Sequence, residues 1–376
     1  MTTNGQPIKS GIFIMPFHPP NKPLAQCYDE DIELVIRAEA LGFDEFWIGE
    51  HHTMKYEAIV VPEVFIGRVL GETDRIRLGP APICLNQHHP AYVATRLAFL
   101  DHLSKGRLNL CFGPSGVITD YELYGQDPKQ GGAMTVEALD VILKLWSSEP
   151  PYEHKGKFWQ FSLKENVNME TQIGFIHKPL QQPHPPIAMP GINRNSYSLR
   201  LAGERGFAPF SAALAAGNVL ADNWETYQRS SLETGRSPNR FDWKVARQIF
   251  LADTTREAVE RVRTNSVGQN FQYLASLMDS GPGRGFLKRD LEMPDADCDM
   301  DFWLSEQIIA GDVDFVLTRL LALIEECGPF GTLILMSFDW DDKASWLRNL
   351  ELFATELMPA LNKAVAGAGF RSDVAG

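Results

Sequence analysis

The sequence predicts an α/β fold, a single (β/α)8 TIM barrel with insertions that spans residues 1–376. Short apolar runs alternate with longer amphipathic segments from the start of the chain, which is typical of repeated strand-helix units and a parallel sheet. About eight such units follow one another, and eight is the number at which a parallel sheet closes into a barrel. A chain of 376 residues is long enough for one such barrel.

The predicted strands are short apolar runs bounded by turn residues. In chain order they cover residues 11–15, 45–49, 76–84, 107–112, 186–189, 207–210, 244–252 and 332–337. The predicted helices carry apolar residues at helical spacing. They cover residues 30–41, 92–103, 134–146, 197–205, 220–233, 313–327 and 343–361. Gly42 and Gly206 follow two of these helices directly, where glycine commonly ends a helix.

Two segments interrupt the alternation. Residues 150–186 are rich in proline and lysine, and we expect them to leave the barrel through a hairpin around residues 152–161. Residues 279–299 contain three glycines and two prolines and are too long for a simple connection. We expect this second segment to be a mobile lid over the active site, with an ordinary surface loop as the alternative.

The composition excludes several classes of protein. A formal net charge of -13 argues against a surface that binds the phosphates of nucleic acids. The cysteines stand singly, without a CxxC pair, so that neither a zinc knuckle nor a disulfide framework is indicated and a cytoplasmic location is expected. No targeting signal and no apolar stretch of membrane-spanning length is present in the sequence, so we expect no membrane association.

Candidate catalytic residues follow the carboxyl ends of the predicted strands, where barrels of this kind place their active sites. Glu50, His51 and His52 follow the second strand, and His88 and His89 follow the third. Histidines in such positions suit acid/base chemistry or hydrogen bonding near neutral pH.

A metal site is the alternative interpretation of these histidine pairs. Adjacent residues in an extended segment point to opposite sides, so each pair is expected to present one ring to the cavity. One carboxylate accompanies the pairs, but no third helical histidine or Asp/Glu pair completes a chelate, and we therefore predict no metal.

A candidate anion site lies where the helix over residues 197–205 begins. Asn195, Ser196 and Ser198 surround this start, and the free N–H groups of a helix N-terminus favour a phosphate. The alternative is an ordinary helix cap. No GxGxxG or GxxxxGK[ST] motif follows a strand, so dinucleotide and P-loop sites are not supported.

Several motifs in one order resemble the bacterial luciferase-like flavin monooxygenases. They are GFDEFWIGEHH (42–52), RIRLGPAPICLNQHHP (75–90), LDHLSKGRLNLCFGPS (100–115), PHPPIAM with LAGERG (183–206) and GTLILMSF (331–338). The resemblance extends from about residue 10 to residue 361. FHP (17–19) and ALDVILKLW (138–146) are similar to the branch that contains limonene hydroxylases and alkanal monooxygenases.

The resemblance implies an FMNH2-dependent monooxygenase of two-component type. Such an enzyme inserts one oxygen atom of O2 into a small hydrophobic substrate, an aldehyde, terpene or cyclic ketone, through a flavin hydroperoxide. It also implies His51 as the acid/base near flavin and substrate, Glu50 in the same motif and His89 as a second histidine of the pocket.

The resemblance further implies cofactor-binding positions. Ala81 and Pro82 match an unusual cis peptide behind the flavin ring, and Gly113 lies at the end of the fourth strand. Asn195, Ser196 and Ser198 match the phosphate-binding helix start.

One departure concerns the flavin phosphate. Luciferase has a reactive cysteine followed by an arginine near the end of the fourth strand, where this chain has Gly113 and Pro114. Arg194 or Arg200 is the candidate to replace that arginine, and the thiol role is not transferred to Cys111.

The family also implies partners. A separate NAD(P)H-dependent flavin reductase is expected to supply reduced flavin, because the chain has no nicotinamide motif, and a homodimer is expected. Three alternatives remain: a deazaflavin-dependent oxidoreductase of the same superfamily, a non-catalytic flavin-binding or partner subunit, and a metal-dependent barrel hydrolase.

Overall fold

Each predicted strand region contains a strand in the structure. The computed structural model describes residues 6–15, 17–279 and 283–368. The strands are β1 (Lys9–Ile14), β2 (Glu45–Ile48), β3 (Arg77–Pro80), β4 (Ile83–Cys84), β5 (Leu110–Gly113), β6 (Tyr152–Lys155), β7 (Gln160–Leu163), β8 (Ile187–Gly191), β9 (Ala208–Ser211), β10 (Lys244–Leu251), β11 (Ile308–Gly311) and β12 (Thr332–Ser337).

Helices follow most of these strands. They are α1 (Leu24–Ala40), α2 (Pro62–Val69), α3 (Pro90–Leu103), α4 (Ile118–Leu123), α5 (Gly131–Ser147), α6 (Tyr197–Arg205), α7 (Gly217–Glu233), α8 (Thr255–Val262), α9 (Ser266–Asp279), α10 (Met300–Glu306), α11 (Val313–Cys327), α12 (Lys343–Leu352) and α13 (Met358–Ala368). Gly206 ends α6 with a left-handed φ of 76°, a conformation that glycine adopts without steric cost. No described helix combines the length and apolarity needed to cross a bilayer.

The chain divides into two units. The first unit consists of Met1–Trp47 and Met189–Gly376, and the second of Ile48–Ala188.

Parallel strands form the centre of the first unit. They run in the order β2, β1, β12, β10, β9 and β8, with β11 beside β10. β12 is buried along its whole length, as expected for a parallel strand covered on both faces. In β1, a Cβ on Gly11 would lie 2.5 Å from Cδ1 of Ile334 and 3.0 Å from Cγ of Glu45, so a larger residue would require both side chains to shift.

The second unit also contains parallel pairs, β4 with β5 and β5 with the first residues of β8. Trp146 of α5 donates a hydrogen bond from Nε1 to the carbonyl of Ala94 in α3, at 3.0 Å. Strands β6 and β7 form the antiparallel hairpin expected in residues 150–186. The carboxylate of Glu137 accepts hydrogen bonds from the N–H groups of Phe158 and Trp159 and thereby holds the turn of this hairpin.

Some elements differ from the prediction. The strand predicted over residues 76–84 is divided into β3 and β4, and α2, which begins at Pro62, was not predicted. The helix predicted over residues 343–361 contains a π-helical turn at Phe353–Leu357. Pro359 has no N–H to donate to the carbonyl four residues earlier, which favours a local widening of the helix.

The predicted lid lies partly within the described residues, since residues 280–282 fall outside them. The described part contains two short 3₁₀ turns, Gly285–Leu287 and Asp295–Asp297. Between them, the carbonyl of Arg289 accepts hydrogen bonds from Arg194 and from Asn218, both at 3.0 Å. The role of this segment as a lid stays a prediction.

Candidate active site

A loop between β2 and α2 in the second unit carries the first group of candidate residues. β2 is buried along its whole length, and the chain then leaves the sheet through Gly49 and Glu50. In an extended segment, alternate residues share a side. Accordingly, Glu50 and His52 contact each other, whereas His51 has different neighbours.

Glu50 is the centre of a buried hydrogen-bond network. Its carboxylate accepts from Nε2 of His88 at 2.7 Å, from Nε2 of His52 at 3.1 Å and from the N–H of Cys84 at 2.8 Å. Burial disfavours the charged form, but these three donors outweigh burial and lower the pKa of Glu50 to about 2. Glu50 is therefore ionised at neutral pH.

The contact between Glu50, His52 and His88 corrects one expectation. The sequence pattern predicts no completed chelate at the histidine pairs, but the structure places these three groups close enough to hold an ion. The carboxylate and His52 share a side because they are two residues apart, and His88 comes from the segment after β4.

The tautomer of His88 favours a proton network over a metal at this cluster. Arg96 lies 3.4 Å from Nδ1 of His88, and arginine can only donate hydrogen bonds. Nδ1 therefore accepts, so that Nε2 carries the hydrogen and donates it to Glu50. A nitrogen that carries hydrogen has no lone pair for a metal.

His51 lies between two other carboxylates. Its Nε2 is 3.4 Å from Oε2 of Glu57, and its Nδ1 is 3.7 Å from Oδ2 of Asp120. The side chain of His51 is 19 % exposed, while those of Glu57 and Asp120 are 1 % and 0 % exposed. Burial works against the imidazolium, but Glu57, Asp120 and the more distant Glu50 outweigh it and raise the pKa of His51.

Asp120 is held in its ionised form. It accepts a hydrogen bond from the hydroxyl of Thr53 at 2.6 Å and one from Ser115 at 3.3 Å. Burial opposes ionisation, but His51 and Thr53 lower the pKa of Asp120 to about 2. The arrangement can hold or move a proton at His51.

The remaining candidate residues of the second unit are His89, Ala81, Pro82 and Gly113. His89 is exposed, and its Nδ1 accepts from the N–H of Ala91 at 3.3 Å, so it caps α3. The Ala81–Pro82 peptide bond is cis, as the resemblance implies. Gly113 is buried in β5, where it pairs with Cys84.

The second group of candidate residues lies at the start of α6, in the first unit. Ser196 caps this helix by accepting from the N–H of Leu199 at 3.4 Å, and Ser198 is half-buried in the first turn. Asn195 has a φ of 51° and donates its N–H to Asp222 at 2.6 Å. Within the first unit the structure thus brings Arg194, Asn195, Ser196 and Ser198 together at one helix start.

Glu57 and Asp120 are site residues that the sequence pattern does not predict. Glu57 lies six residues after His51 in an irregular loop, and Asp120 lies in the first turn of the short helix α4, after the GPSG segment. Neither position shows a periodic pattern, and only the folded loop brings their carboxylates to His51.

Comparison with known proteins decides the family. The profile described as luciferase-like monooxygenase matches residues 8–328 of this chain. The chain belongs to the luciferase-like monooxygenase family. The family and the enzyme class predicted from the sequence, a flavin-dependent monooxygenase, are thereby confirmed.

Individual relatives of this luciferase-like monooxygenase support the same family assignment. The 3,6-diketocamphane 1,6-monooxygenase of Pseudomonas putida is 30% identical over 375 residues, with 94% of this chain and 98% of the relative covered. The limonene 1,2-monooxygenase of Rhodococcus erythropolis is 29% identical, with 96% of this chain and 89% of the relative covered.

A solved structure confirms the fold class. The oxygenating constituent of 3,6-diketocamphane monooxygenase from Pseudomonas putida, described as a type II Baeyer-Villiger monooxygenase in complex with FMN, matches with a TM-score of 0.85. The two sequences are 29% identical, and the match covers 94% of this chain and 98% of that structure. The luciferase-like monooxygenase described here therefore has the (β/α)8 TIM-barrel fold class predicted from its sequence.

Proposed function

We propose that this chain is the oxygenase component of a two-component system, which uses reduced FMN and O2 to insert one oxygen atom into a small hydrophobic substrate. One observation carries the proposal. In a chain of the luciferase-like monooxygenase family, a half-buried histidine, His51, lies between the carboxyl groups of Glu57 and Asp120 and can exchange a proton with a bound ligand.

The residues present fit FMN. Nδ1 of His51 is buried and has no hydrogen-bond partner among the described residues, so it is available to a polar atom of a ligand. The first N–H groups of α6 have no partner within the helix, which suits a phosphate. Ser196, Ser198 and Arg194 would hold that phosphate, while Ala81, Pro82 and Gly113 would contact the ring. Asn195 would shape the turn, since its N–H is bound to Asp222.

Bound reduced FMN supplies the electrons that activate O2. The protein supplies the proton chemistry. His51 would donate or accept a proton at Nδ1, and the Glu50 network would keep the loop that carries His51 in place. Asp120 would stabilise the imidazolium through its charge.

The names of the relatives suggest the class of substrate. Two of them act on a diketocamphane and on limonene, according to their names. We propose an apolar cyclic ketone or a terpene as the substrate of this chain. A hydrophobic aldehyde is the third class to test. Hydroxylation and Baeyer-Villiger insertion both agree with the arrangement of His51.

A separate flavin reductase belongs to the proposal. The matched structure is called an oxygenating constituent, which implies a second component in that system. Because this chain has no nicotinamide motif, we expect an NAD(P)H-dependent reductase to deliver reduced FMN by diffusion.

A homodimer is also proposed, and an exposed apolar face in the second unit supports it. Tyr92, Phe99 and Leu103 of α3 are 63%, 64% and 51% exposed at positions that share one helix face, and Val64 of α2 is 71% exposed. Replacement of Phe99 by Arg should then shift the mass found by light scattering from dimer to monomer. A monomeric wild-type protein would refute this part.

Isotope labelling tests the proposed function. The purified protein is combined with FMN, NADH, a flavin reductase and 18O2, and a panel of cyclic ketones, terpenes and aldehydes is offered. We expect one labelled oxygen atom in a product formed only when the protein is present. An anaerobic hydride transfer from a reduced deazaflavin, without any labelled product under 18O2, would refute the proposal.

A further inference from the structure

Glu57 is a buried carboxyl group beside His51. It lies outside the EHH motif, in the loop between β2 and α2, and its side chain is 1 % exposed. Both of its oxygens are buried and have no hydrogen-bond partner among the described residues. Its own N–H donates to the carbonyl of Met54 at 3.1 Å, so a local turn holds the residue in place.

A carboxyl group in this position needs a compensating charge or a proton. An ionised carboxylate without hydrogen bonds is costly to bury, unless a cation lies beside it. The nearest candidate is the imidazole of His51, whose Nε2 is 3.4 Å from Oε2 of Glu57. Burial raises the pKa of Glu57, the positive charge of His51 opposes this rise, and Asp120 adds to it.

The contact with Glu57 also changes the pKa of His51. Glu57 is the first of the carboxylates that raise the pKa of His51, followed by Asp120 and Glu50. His52 belongs to the same group of charges, because its charge lowers the pKa of Asp120. Since Glu57 lies at Nε2, the atom of the ring that remains for a ligand is Nδ1, whose distance of 3.7 Å from Asp120 is too long for a hydrogen bond.

We propose that Glu57 is a positioning residue whose carboxylate faces Nε2 of His51 and stabilises the protonated imidazole as a proton donor. This inference rests on the proposed function, in which His51 serves the oxygenation reaction. The proton leaves from Nδ1 to an oxygen of the ligand, Nε2 keeps its own hydrogen on the side of Glu57, and solvent later returns a proton to Nδ1.

NMR titration of the flavin-free protein tests the pairing. The histidine rings are labelled, and the His51 signals are assigned from their loss in His51→Gln. In Glu57→Gln we expect the titration midpoint of His51 to fall by at least one pH unit, while in Glu122→Gln, which removes an exposed glutamate of the same unit, the midpoint should stay unchanged. An unchanged midpoint in Glu57→Gln overturns the inference.

A second measurement needs no variant and covers the case in which Glu57→Gln does not fold. The side-chain carboxyl carbon of Glu57 in the wild-type protein should change its chemical shift at the same pH at which His51 titrates. Titration of Glu57 in a single step near its ordinary value of 4.5, without a change at the midpoint of His51, overturns the inference.

The pH profile of the loaded enzyme separates this inference from the proposed function. A charged His51 is lost as pH rises through its pKa, so kcat/KM should decline there. In Glu57→Gln this decline should move to lower pH by the same amount as the NMR midpoint. If the NMR midpoint of His51 shifts in Glu57→Gln but the pH profile of kcat/KM does not, His51 is not the proton donor. The pairing of Glu57 with His51 then stands, and the role of His51 in the proposed function is wrong.

Discussion

Nε2 of His88 donates a hydrogen bond of 2.7 Å to the buried carboxylate of Glu50. The pair joins the loop after β2 to the segment after β4, and the N–H of Cys84 and the ring of His52 complete the contacts of the carboxylate. These contacts stabilise the loop that presents His51.

The first prediction follows from this pair. Glu50→Gln removes the charge that all three donors contact, and we expect the free energy of unfolding at pH 7 to fall by about 2 kcal/mol. Urea denaturation of the flavin-free protein measures the effect. Because the pKa of Glu50 is lowered from 4.5 to about 2, the difference between wild type and variant should disappear as pH falls through this range. A difference that grows as pH falls would contradict the assignment.

The second prediction concerns His89. Its ring caps α3, so His89→Ala should lower the free energy of unfolding by about 1 kcal/mol, the usual effect of a lost cap. We expect turnover to fall less than in His51→Ala. Thermal unfolding and steady-state kinetics measure the two effects, and a loss of turnover equal to that in His51→Ala would establish His89 as a residue of the pocket.

A third prediction concerns a buried ion cluster in the first unit. Nδ1 of His18 is 2.7 Å from Asp339, and Nε2 is 3.1 Å from Asp31. Burial lowers the pKa of His18, but the two carboxylates outweigh it and raise the pKa to about 9 from the ordinary 6.5. The charged ring therefore stabilises the protein fully below pH 6.5, and this contribution is lost as pH rises towards 9.

Comparison of wild type with His18→Gln should show this contribution. We expect the wild type to be more stable at pH 6 by on the order of 3 kcal/mol and the difference to shrink between pH 6.5 and 9. Denaturation curves across this range measure it, with His177→Gln as a control at an exposed histidine. A difference that stays constant with pH would show that the ring acts by packing alone.

The fourth prediction tests phosphate binding at the start of α6. Arg194→Ala should weaken the binding of FMN by about tenfold, because a hydrogen bond to a charged group is worth about 1.5 kcal/mol or more. Binding of riboflavin, which has no phosphate, should change little. Fluorescence titration measures both affinities, and an equal loss for the two flavins would exclude a phosphate contact.

Much of the fold could be predicted from the sequence because its signals are local. The bounds of α6 follow from Ser196 at one end and Gly206 at the other, and the strand β12 follows from its apolar run. β11 was missed, because a run of four apolar residues has no periodicity that distinguishes a strand from a buried turn of helix.

The candidate site could be predicted only in part. The EHH motif and the cis Ala81–Pro82 bond follow from family resemblance. The contact of Glu57 with His51 depends on how an irregular loop folds back, and the exposure of His89 depends on which ring of the pair turns to Glu50. Neither is encoded in the spacing of the residues.

The ratio of oxygenated product to NADH consumed, with the reductase held constant, tests the central claim most directly. If His51 supplies the proton for oxygen transfer, His51→Ala should still bind FMN but yield at least tenfold less product per NADH, with hydrogen peroxide in place of the missing product. An unchanged ratio in His51→Ala, at unchanged turnover, would contradict the account.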